Sequence, residues 1–223
     1  MVQTNDGKCV YCNEIISKRA MKGHLEKCKA ISTVNNEEAV TKDKERYFRI
    51  LVEGYGLSQY WIYLDIPAKA TLTALDDFLR DIWLECCGHL SVFEIGGTEY
   101  MSAPSKEDGE RGMGVKLCNV LSTGMQFKHE YDFGSTTTLK LKIISEYIEG
   151  KKSAKVELMA RNLAPRIKCA ECEKEATQVC SNCYYEGAEA WLCDECMETH
   201  ECGEDMFLPV VNPPRTGVCG YEG

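Results

Sequence analysis

The feature that most constrains this chain is a set of four Cys-x2-Cys pairs, which take up eight of its 14 cysteines. The pairs begin at Cys9, Cys169, Cys180 and Cys193. The first residues are polar and lack the basic start and apolar core of a secretory signal, so the sequence predicts a cytoplasmic protein in a reducing compartment. In such a compartment, cysteine pairs at this spacing are typical of zinc sites rather than of disulfides.

Composition excludes several classes of protein. The chain has 223 residues, of which 44% are hydrophobic, so it can build one core. Its longest apolar runs are far shorter than the roughly 18–20 residues that a membrane-spanning helix needs. Acidic residues number 35 against 26 basic ones, a formal charge of −9. That balance disfavours general binding to nucleic acid or to anionic lipid, and we expect neither a membrane partner nor a small-molecule substrate.

The distribution of cysteines divides the chain into four segments. Residues 1–28 and 165–223 are rich in cysteine, and we predict a zinc module in each. Residues 29–45 are polar and are predicted to form a linker. Residues 46–164 hold most of the large apolar side chains and are predicted to form the central domain.

Hydrophobic periodicity in the central segment changes between the strand and helix patterns. Tyr47–Glu53 alternates, Gln59–Ile66 is rich in Tyr, Trp and Ile, and residues 72–86 have apolar side chains at helical spacing. Thr73 and Asp76 are predicted to form the capping box of that helix. Further strands are predicted over His89–Gly97, Thr98–Tyr100, Met125–Phe133, Leu139–Tyr147 and Lys155–Met159. One main helix against an antiparallel or mixed sheet, flanked by two small zinc-stabilised modules, predicts the α+β class.

Three motifs follow one another in the central segment. They are Thr71-Leu72-x2-Leu75, then Cys87-Gly88-His89-Leu90-x2-Phe93-x-Ile95-x-Gly97-x2-Tyr100, and then Phe127-x3-Tyr131-Asp132-Phe133-Gly134. Their order resembles that of the Ri-plasmid ORF-three-like family, also labelled "insertion-element passenger" proteins, over roughly residues 46–150. After the third motif the family continues with Asp, an aromatic residue and His, whereas this chain has four hydroxyl residues at 135–138. The resemblance implies no established biochemical function and no recombinase chemistry.

One set of side chains in the central segment is a candidate for a hydrolytic metal site. The set consists of His89, His129, Glu130 and Asp132. A metal-assisted hydrolase needs about three such ligands around an open coordination position. In the interpretation that we favour, His89 faces the sheet and Asp132 caps the turn before Gly134. The sequence therefore predicts no catalytic residue and no enzymatic activity.

The N-terminal cysteine pair is completed by two ligands on a predicted helix over residues 17–29. His24 and Cys28 lie four residues apart, so they share one helical face. The predicted tetrahedral zinc site is Cys9, Cys12, His24 and Cys28. The spacing looks like that of small ubiquitin-binding fingers in repair proteins, where an Asp usually follows His-Leu instead of Glu26. It also looks like that of some nucleic-acid fingers.

The basic residues of this finger are compatible with more than one kind of binding partner. Lys18, Arg19, Lys22, Lys27 and Lys29 could contact the phosphates of RNA, DNA or a ribosome. The alternatives are contact with another protein, which we favour, and docking on the central domain of the same chain.

Seven of the eight C-terminal cysteines and His200 supply eight ligands, which is enough for two zinc ions. Their spacing resembles that of the cross-brace fingers of the B-box, MYND and HIT kind, in which alternate pairs share a metal. The resemblance implies one site formed by Cys169, Cys172, Cys193 and Cys196, and a second formed by Cys180, Cys183, His200 and Cys202. Sequential pairing is the alternative. Fingers of these families mostly bind proteins, which agrees with the twelve acidic and four basic residues in this segment.

The remaining cysteines have less specific surroundings. Cys86 and Cys87 are interpreted as a buried thiol and an idle neighbour. Cys219 lies in a tail that we expect to be extended and to pack on the finger or the central sheet. It could replace Cys202 as a ligand, remain a free thiol, or bind a partner's metal.

Together these observations predict a non-enzymatic adaptor with three zinc ions and a protein partner. The alternatives are an RNA- or ribosome-associated factor and, third, a hydrolase.

Overall fold

A computed structural model describes residues 5–31, 44–150 and 155–223. The fold is α+β, as predicted: the described residues form a ten-stranded mixed sheet with one main helix, and a smaller three-stranded sheet lies in the C-terminal segment. Residues 32–43 of the predicted linker lie outside the described residues. No helix in the described ranges is long and apolar enough to cross a membrane.

The large sheet has the strand order β2-β1-β10-β4-β3-β9-β8-β5-β6-β7. Neighbouring strands are antiparallel except β6 and β7, which are parallel. The strands are β1 (Asp6–Cys9), β2 (Ile15–Ser17), β3 (Lys44–Gly54), β4 (Leu57–Pro67), β5 (Ser91–Ile95), β6 (Thr98–Met101), β7 (Arg111–Gly112), β8 (Gln126–Tyr131), β9 (Thr137–Gly150) and β10 (Glu157–Asn162).

The C-terminal segment has its own sheet, of order β12-β11-β13, and two short helices. Its strands are β11 (Gln178–Cys180), β12 (Trp191–Leu192) and β13 (Phe207–Pro209). The α-helices that lie wholly within the described residues are α1 (Lys18–Leu25), α2 (Leu72–Leu79), α3 (Ser181–Tyr185) and α4 (Asp194–Met197).

Helix α2 covers one face of the large sheet. Its side chains Leu72, Leu75 and Leu79 are fully buried against strands β3, β4, β8 and β9. The α-helix ends at Leu79 and is followed by a π-helical turn over Arg80–Leu84. The helical segment is therefore shorter than the predicted helix over residues 72–86.

The predicted capping box of α2 is wrong. The N-cap is Thr71, whose Oγ1 accepts a hydrogen bond from the Ala74 backbone N–H at 3.2 Å. Asp76 is buried and does not reach back to the helix start, because its carboxylate accepts hydrogen bonds from Arg80 and Ser91 instead. The local pattern predicts that the Asp76 carboxylate caps the helix, but in the structure this carboxylate belongs to a tertiary hydrogen-bond network.

The N-terminal module belongs to the same sheet as the central domain. Strand β1 pairs with β10, and Gly7 lies opposite Asn162. The apolar face of α1 packs with Met21 and Leu25 against Trp61, which is fully buried. The N-terminal finger is therefore docked on the central domain.

The C-terminal tail links the smaller sheet to the larger one. The backbone N–H of Val210 donates to the Thr177 carbonyl in the C-terminal module. Asn212 then exchanges hydrogen bonds with Asn162 at the end of β10. The tail therefore packs on both the finger and the central sheet.

Candidate metal centres

Thirteen of the 14 cysteines and three of the four histidines converge in four groups of four. Within each group the ligand atoms all lie within 4.8 Å of one another, and the cysteines are free of disulfides. A tetrahedral zinc ion with Zn–S of about 2.3 Å and Zn–N of about 2.0–2.1 Å separates two sulfurs by about 3.8 Å, and a sulfur from a nitrogen by about 3.6 Å. The donor types and spacings of all four groups therefore fit metal ions.

The N-terminal group is built by the β1–β2 turn, helix α1 and the segment that follows it. The predicted single helix over residues 17–29 is wrong, because α1 ends at Leu25 and is followed by a turn, so His24 lies on the helix and Cys28 lies beyond it. The backbone N–H of Cys9 donates to the Glu14 carbonyl, and Asn13 adopts a left-handed φ of 63°, which bends the chain into a knuckle. The Cys12 Sγ lies 3.3 Å from the Nε2 of His24. The structure thus brings the predicted set Cys9, Cys12, His24 and Cys28 together.

The backbone around Cys28 favours its thiolate form. Burial opposes ionisation, but hydrogen bonds from the backbone N–H groups of Ile31 and Ala30 outweigh it and lower the pKa of the Cys28 thiol. On the other side of the group, Glu14 Oε2 lies 3.5 Å from the Nδ1 of His24. A carboxylate at Nδ1 is the usual outer partner of a histidine that binds metal through Nε2.

The C-terminal ligands assemble in the interleaved arrangement. Cys169, Cys172, Cys193 and Cys196 form one group, in which the Sγ atoms of Cys172 and Cys193 are 3.5 Å apart. The alternative sequential pairing is not the arrangement that the structure has. Burial opposes ionisation of Cys169, but hydrogen bonds from the backbone N–H groups of Cys193, Glu171 and Cys172 lower the pKa of its thiol to about 6.

The second C-terminal group is Cys180, Cys183, His200 and Cys202. The Cys183 Sγ lies 3.3 Å from the His200 Nε2 and 3.8 Å from the Cys202 Sγ. Cys180 is the residue before α3, where the N–H groups of Asn182 and Cys183 point at its sulfur and lower the pKa of its thiol despite burial. Cys202, not Cys219, completes this group.

The candidate hydrolytic set does not converge on one point. His129 is fully buried with its Nε2 2.6 Å from the Asp76 carboxylate, whereas Glu130, the next residue along β8, is only half-buried. Asp132 accepts a hydrogen bond from the Gly134 N–H at 3.0 Å, the turn contact that the favoured interpretation expects. His89 lies beyond, with its Nε2 3.5 Å from Asp132.

A fourth group brings together residues for which no shared site is predicted from the sequence: Cys86, Cys87, His89 and Cys219. The interpretation of Cys86 as a buried thiol is wrong, because Cys86 is only half-buried. The interpretation of Cys87 as an idle neighbour is also wrong, because its Sγ lies 3.0 Å from the His89 Nε2. His89 Nε2 in turn lies 3.3 Å from the Sγ of Cys219, 130 residues further along the chain. The signal available in the sequence was the compact Cys-Cys-x-His run, together with a tail cysteine that had no assigned role.

The basic residues of the N-terminal finger differ in their surroundings. Lys18 forms an ion pair with Glu53 of β3 and donates to the Ser58 carbonyl of β4 at 2.9 Å, so it fastens the finger to the β3–β4 hairpin of the central domain. Arg19, Lys22 and Lys27 are exposed.

Comparison with known proteins identifies no relative of established function. No family model matches the chain, and no curated protein matches it. Among solved structures, the chain is similar to the crystal structure of a protein of unknown function, MM3350, from Methanosarcina mazei Go1. The TM-score is 0.43 at 18% identity, over 55% of this chain and 70% of that one. The resemblance to the ORF-three-like family stays a prediction.

Proposed function

We propose that the protein is a non-enzymatic zinc-binding adaptor, which contacts another protein through its C-terminal module. The observation that carries the proposal is the ligand composition of the three predicted sites, each of which is completed by four Cys or His side chains. Thiolate and imidazole donors in a tetrahedral set select zinc, and four protein ligands are typical of structural sites. A catalytic zinc keeps one position for water or substrate.

The C-terminal module offers a surface of defined chemistry. Glu204, Asp205 and Met206 are exposed on a 3-10 turn immediately before β13. The turn is held in place because the Ser181 hydroxyl donates to the Met206 carbonyl at 2.8 Å. An exposed methionine beside two carboxylates suits a protein partner with an apolar contact bordered by basic residues.

The test is affinity purification of the zinc-loaded full chain from native lysate, with and without nuclease treatment. The informative variant is the triple change Glu204→Gln, Asp205→Asn and Met206→Ser. The matched control is Glu107→Gln with Asp108→Asn, two exposed acidic residues on a loop of the central domain. We expect partners that survive nuclease, bind the control and are lost from the triple variant. Partners retained equally by both variants would contradict the assignment to this surface.

A nucleic-acid-associated role is the second candidate, favoured by the exposed Arg19, Lys22 and Lys27. If the N-terminal finger binds RNA or DNA, the log–log salt dependence should have a slope of about −0.7 to −0.9 per phosphate contact. The variant to use reverses these three residues to Glu and leaves Lys18 in place, because Lys18 fastens the finger to Glu53. Partners that disappear with nuclease and with this variant would support this role and overturn the adaptor proposal.

A further inference from the structure

The fourth Cys/His group lies where the C-terminal tail crosses the central domain. Three of its members come from the segment between the π-helical turn and β5, and Cys219 comes from the tail. The Sγ atoms of Cys86 and Cys87 are 3.7 Å apart, and the His89 Nε2 lies 3.0 Å from the second of them and 3.3 Å from the Cys219 Sγ. These distances are close to the ligand–ligand distances of a tetrahedral zinc site, which are about 3.8 Å between sulfurs and about 3.6 Å from sulfur to nitrogen.

A buried arginine stands beside this group. Arg215 is fully buried, and its Nη2 donates to the Asp132 carboxylate at 2.7 Å and to the Cys86 Sγ at 3.4 Å. Its Nη1 donates to the Thr137 hydroxyl at 2.9 Å and to the Ser135 carbonyl at 3.1 Å. A zinc ion with three thiolates and one imidazole carries a net charge of −1, so a cation that donates to one sulfur stabilises the ligand set.

The backbone of the tail is shaped to present Cys219. Cys219 has a φ of 50°, in the left-handed region that non-glycine residues rarely adopt, and lies between Gly217 at 79° and Gly220 at 67°. A Cβ at Gly217 would lie 3.2 Å from the Val179 side chain, so the turn also needs glycine for close packing on the C-terminal module. A cysteine held in an unfavourable conformation indicates that its side chain makes a contact that stabilises the turn.

We infer that Cys86, Cys87, His89 and Cys219 bind a fourth zinc ion, which fastens the C-terminal tail to the central domain. The ion joins chain segments that are 130 residues apart, so it links the C-terminal module to the sheet through the tail. Its ligands are more accessible than those of the other sites: none of its thiols is buried, whereas each other group contains at least one buried thiol. We expect this zinc to be the first that a chelator removes.

The test counts metal in the full chain, purified under reducing conditions with zinc, by elemental analysis and native mass spectrometry. We expect four zinc ions in the wild type and three in Cys219→Ser. The matched control is Cys118→Ser, which changes the one cysteine outside the four groups and should keep four. A wild type with three ions, or a Cys219→Ser variant with the wild-type number, would overturn the inference.

A second measurement distinguishes loss of this site from general unfolding. After substitution with Co²⁺, the thiolate-to-metal absorption should fall by about a quarter in Cys219→Ser, because three of thirteen bound thiolates are lost. The larger fall expected from a collapsed C-terminal module would contradict a site confined to the tail. A disulfide from Cys219 to Cys86 or Cys87 in the reduced preparation would also overturn it. Failure of the adaptor proposal leaves these metal counts unchanged, so the two can be separated.

Discussion

Gly7 is the position at which one added methyl group tests how the N-terminal finger is held. It lies on β1, opposite Asn162 of β10, at the junction between the finger and the central sheet. A Cβ at this position would overlap the fully buried Trp61 ring and lie 2.5 Å from the Arg161 carbonyl oxygen. Because one of the clashing groups is backbone and the other is a buried indole, neither can move without disturbing the β1–β10 pairing.

The expected cost of Gly7→Ala follows from overpacking. Inserting a methylene-sized group into a packed core costs about 1–3 kcal/mol, and the rigid neighbours of Gly7 place this case near 3 kcal/mol. For a chain of this size, 1 kcal/mol lowers Tm by about 2–4 °C, so we expect a fall of about 6–12 °C. Trypsin should also cut faster after the basic residues of α1.

The assay is thermal and urea unfolding of the zinc-loaded chain. The matched control is Gly23→Ala, in helix α1 of the same finger, where a new Cβ would meet nothing within 4 Å. Because alanine favours helix over glycine by about 0.5–1 kcal/mol, the control should match or exceed the wild-type stability. Equal melting temperatures for the two variants would refute the docking of the finger on Trp61.

Three further changes test other parts of the structure. Cys193→Ser should release two zinc ions and expose residues 165–205 to protease while the central domain keeps its cooperative melt, because the interleaved sites share one small metal-dependent core. Asp65→Asn should cost about 3–5 kcal/mol in urea unfolding, because it leaves the buried Arg49 guanidinium, now 2.7–2.8 Å from both carboxylate oxygens, without its counter-charge. Burial lowers the pKa of His129, so wild-type stability should fall as pH drops below about 6.5, and His129→Gln should weaken that dependence.

The outcomes that would contradict these predictions are specific. Release of a single zinc ion by Cys193→Ser, with Cys169 and Cys172 still protected from thiol reagents, would show that the two C-terminal sites are independent. An Asp65→Asn variant within 1 kcal/mol of the wild type would show that the pair contributes little. Parallel pH profiles for the wild type and His129→Gln would assign the acid sensitivity to the zinc ligands.

The sign of the His129 effect follows from its surroundings. Its Nε2 faces the Asp76 carboxylate, and its Nδ1 is buried without a hydrogen-bond partner, which suits a neutral ring. The unfolded chain then binds one more proton than the folded chain once the pH falls below the unfolded pKa, so acid favours unfolding. The pKa of Asp76 is itself lowered: burial opposes ionisation, but hydrogen bonds from His129 and Ser91 and the charge of Arg80 outweigh it. Asp76 therefore titrates outside this window.

Local patterns predicted the parts of the protein whose partners are close in sequence. The strand alternation at Phe48, Ile50 and Val52 matches the buried face of β3, because side chains two residues apart share one face of a strand. The Cys-x2-Cys spacing similarly places both sulfurs of a knuckle within reach of one metal. Each of the three predicted ligand groups contains at least one such pair.

Local sequence patterns could not predict the contacts between segments that are distant along the chain. Thr71 and not Thr73 caps α2 because Asp76 is drawn into contacts with Arg80, Ser91 and His129. The pairing of β1 with β10 joins residues about 150 positions apart, and its packing on Trp61 carries no local signature.

The sequence by itself therefore determined the α+β class and the composition of the N-terminal Cys/His group, since both depend on the period of a strand or on the reach of a short turn. It also supplied the eight C-terminal ligands, but their interleaved grouping was implied by the resemblance to cross-brace fingers and not by their spacing. Tertiary structure alone decided the fourth group. Cys86, Cys87 and His89 supply three of the four ligands of a tetrahedral site. The fourth ligand, Cys219, reaches them only when the tail folds back and buries Arg215. Bringing together residues 130 positions apart depends on the packing of the C-terminal module and the tail on the sheet. The spacing of residues along the chain therefore could not predict this group.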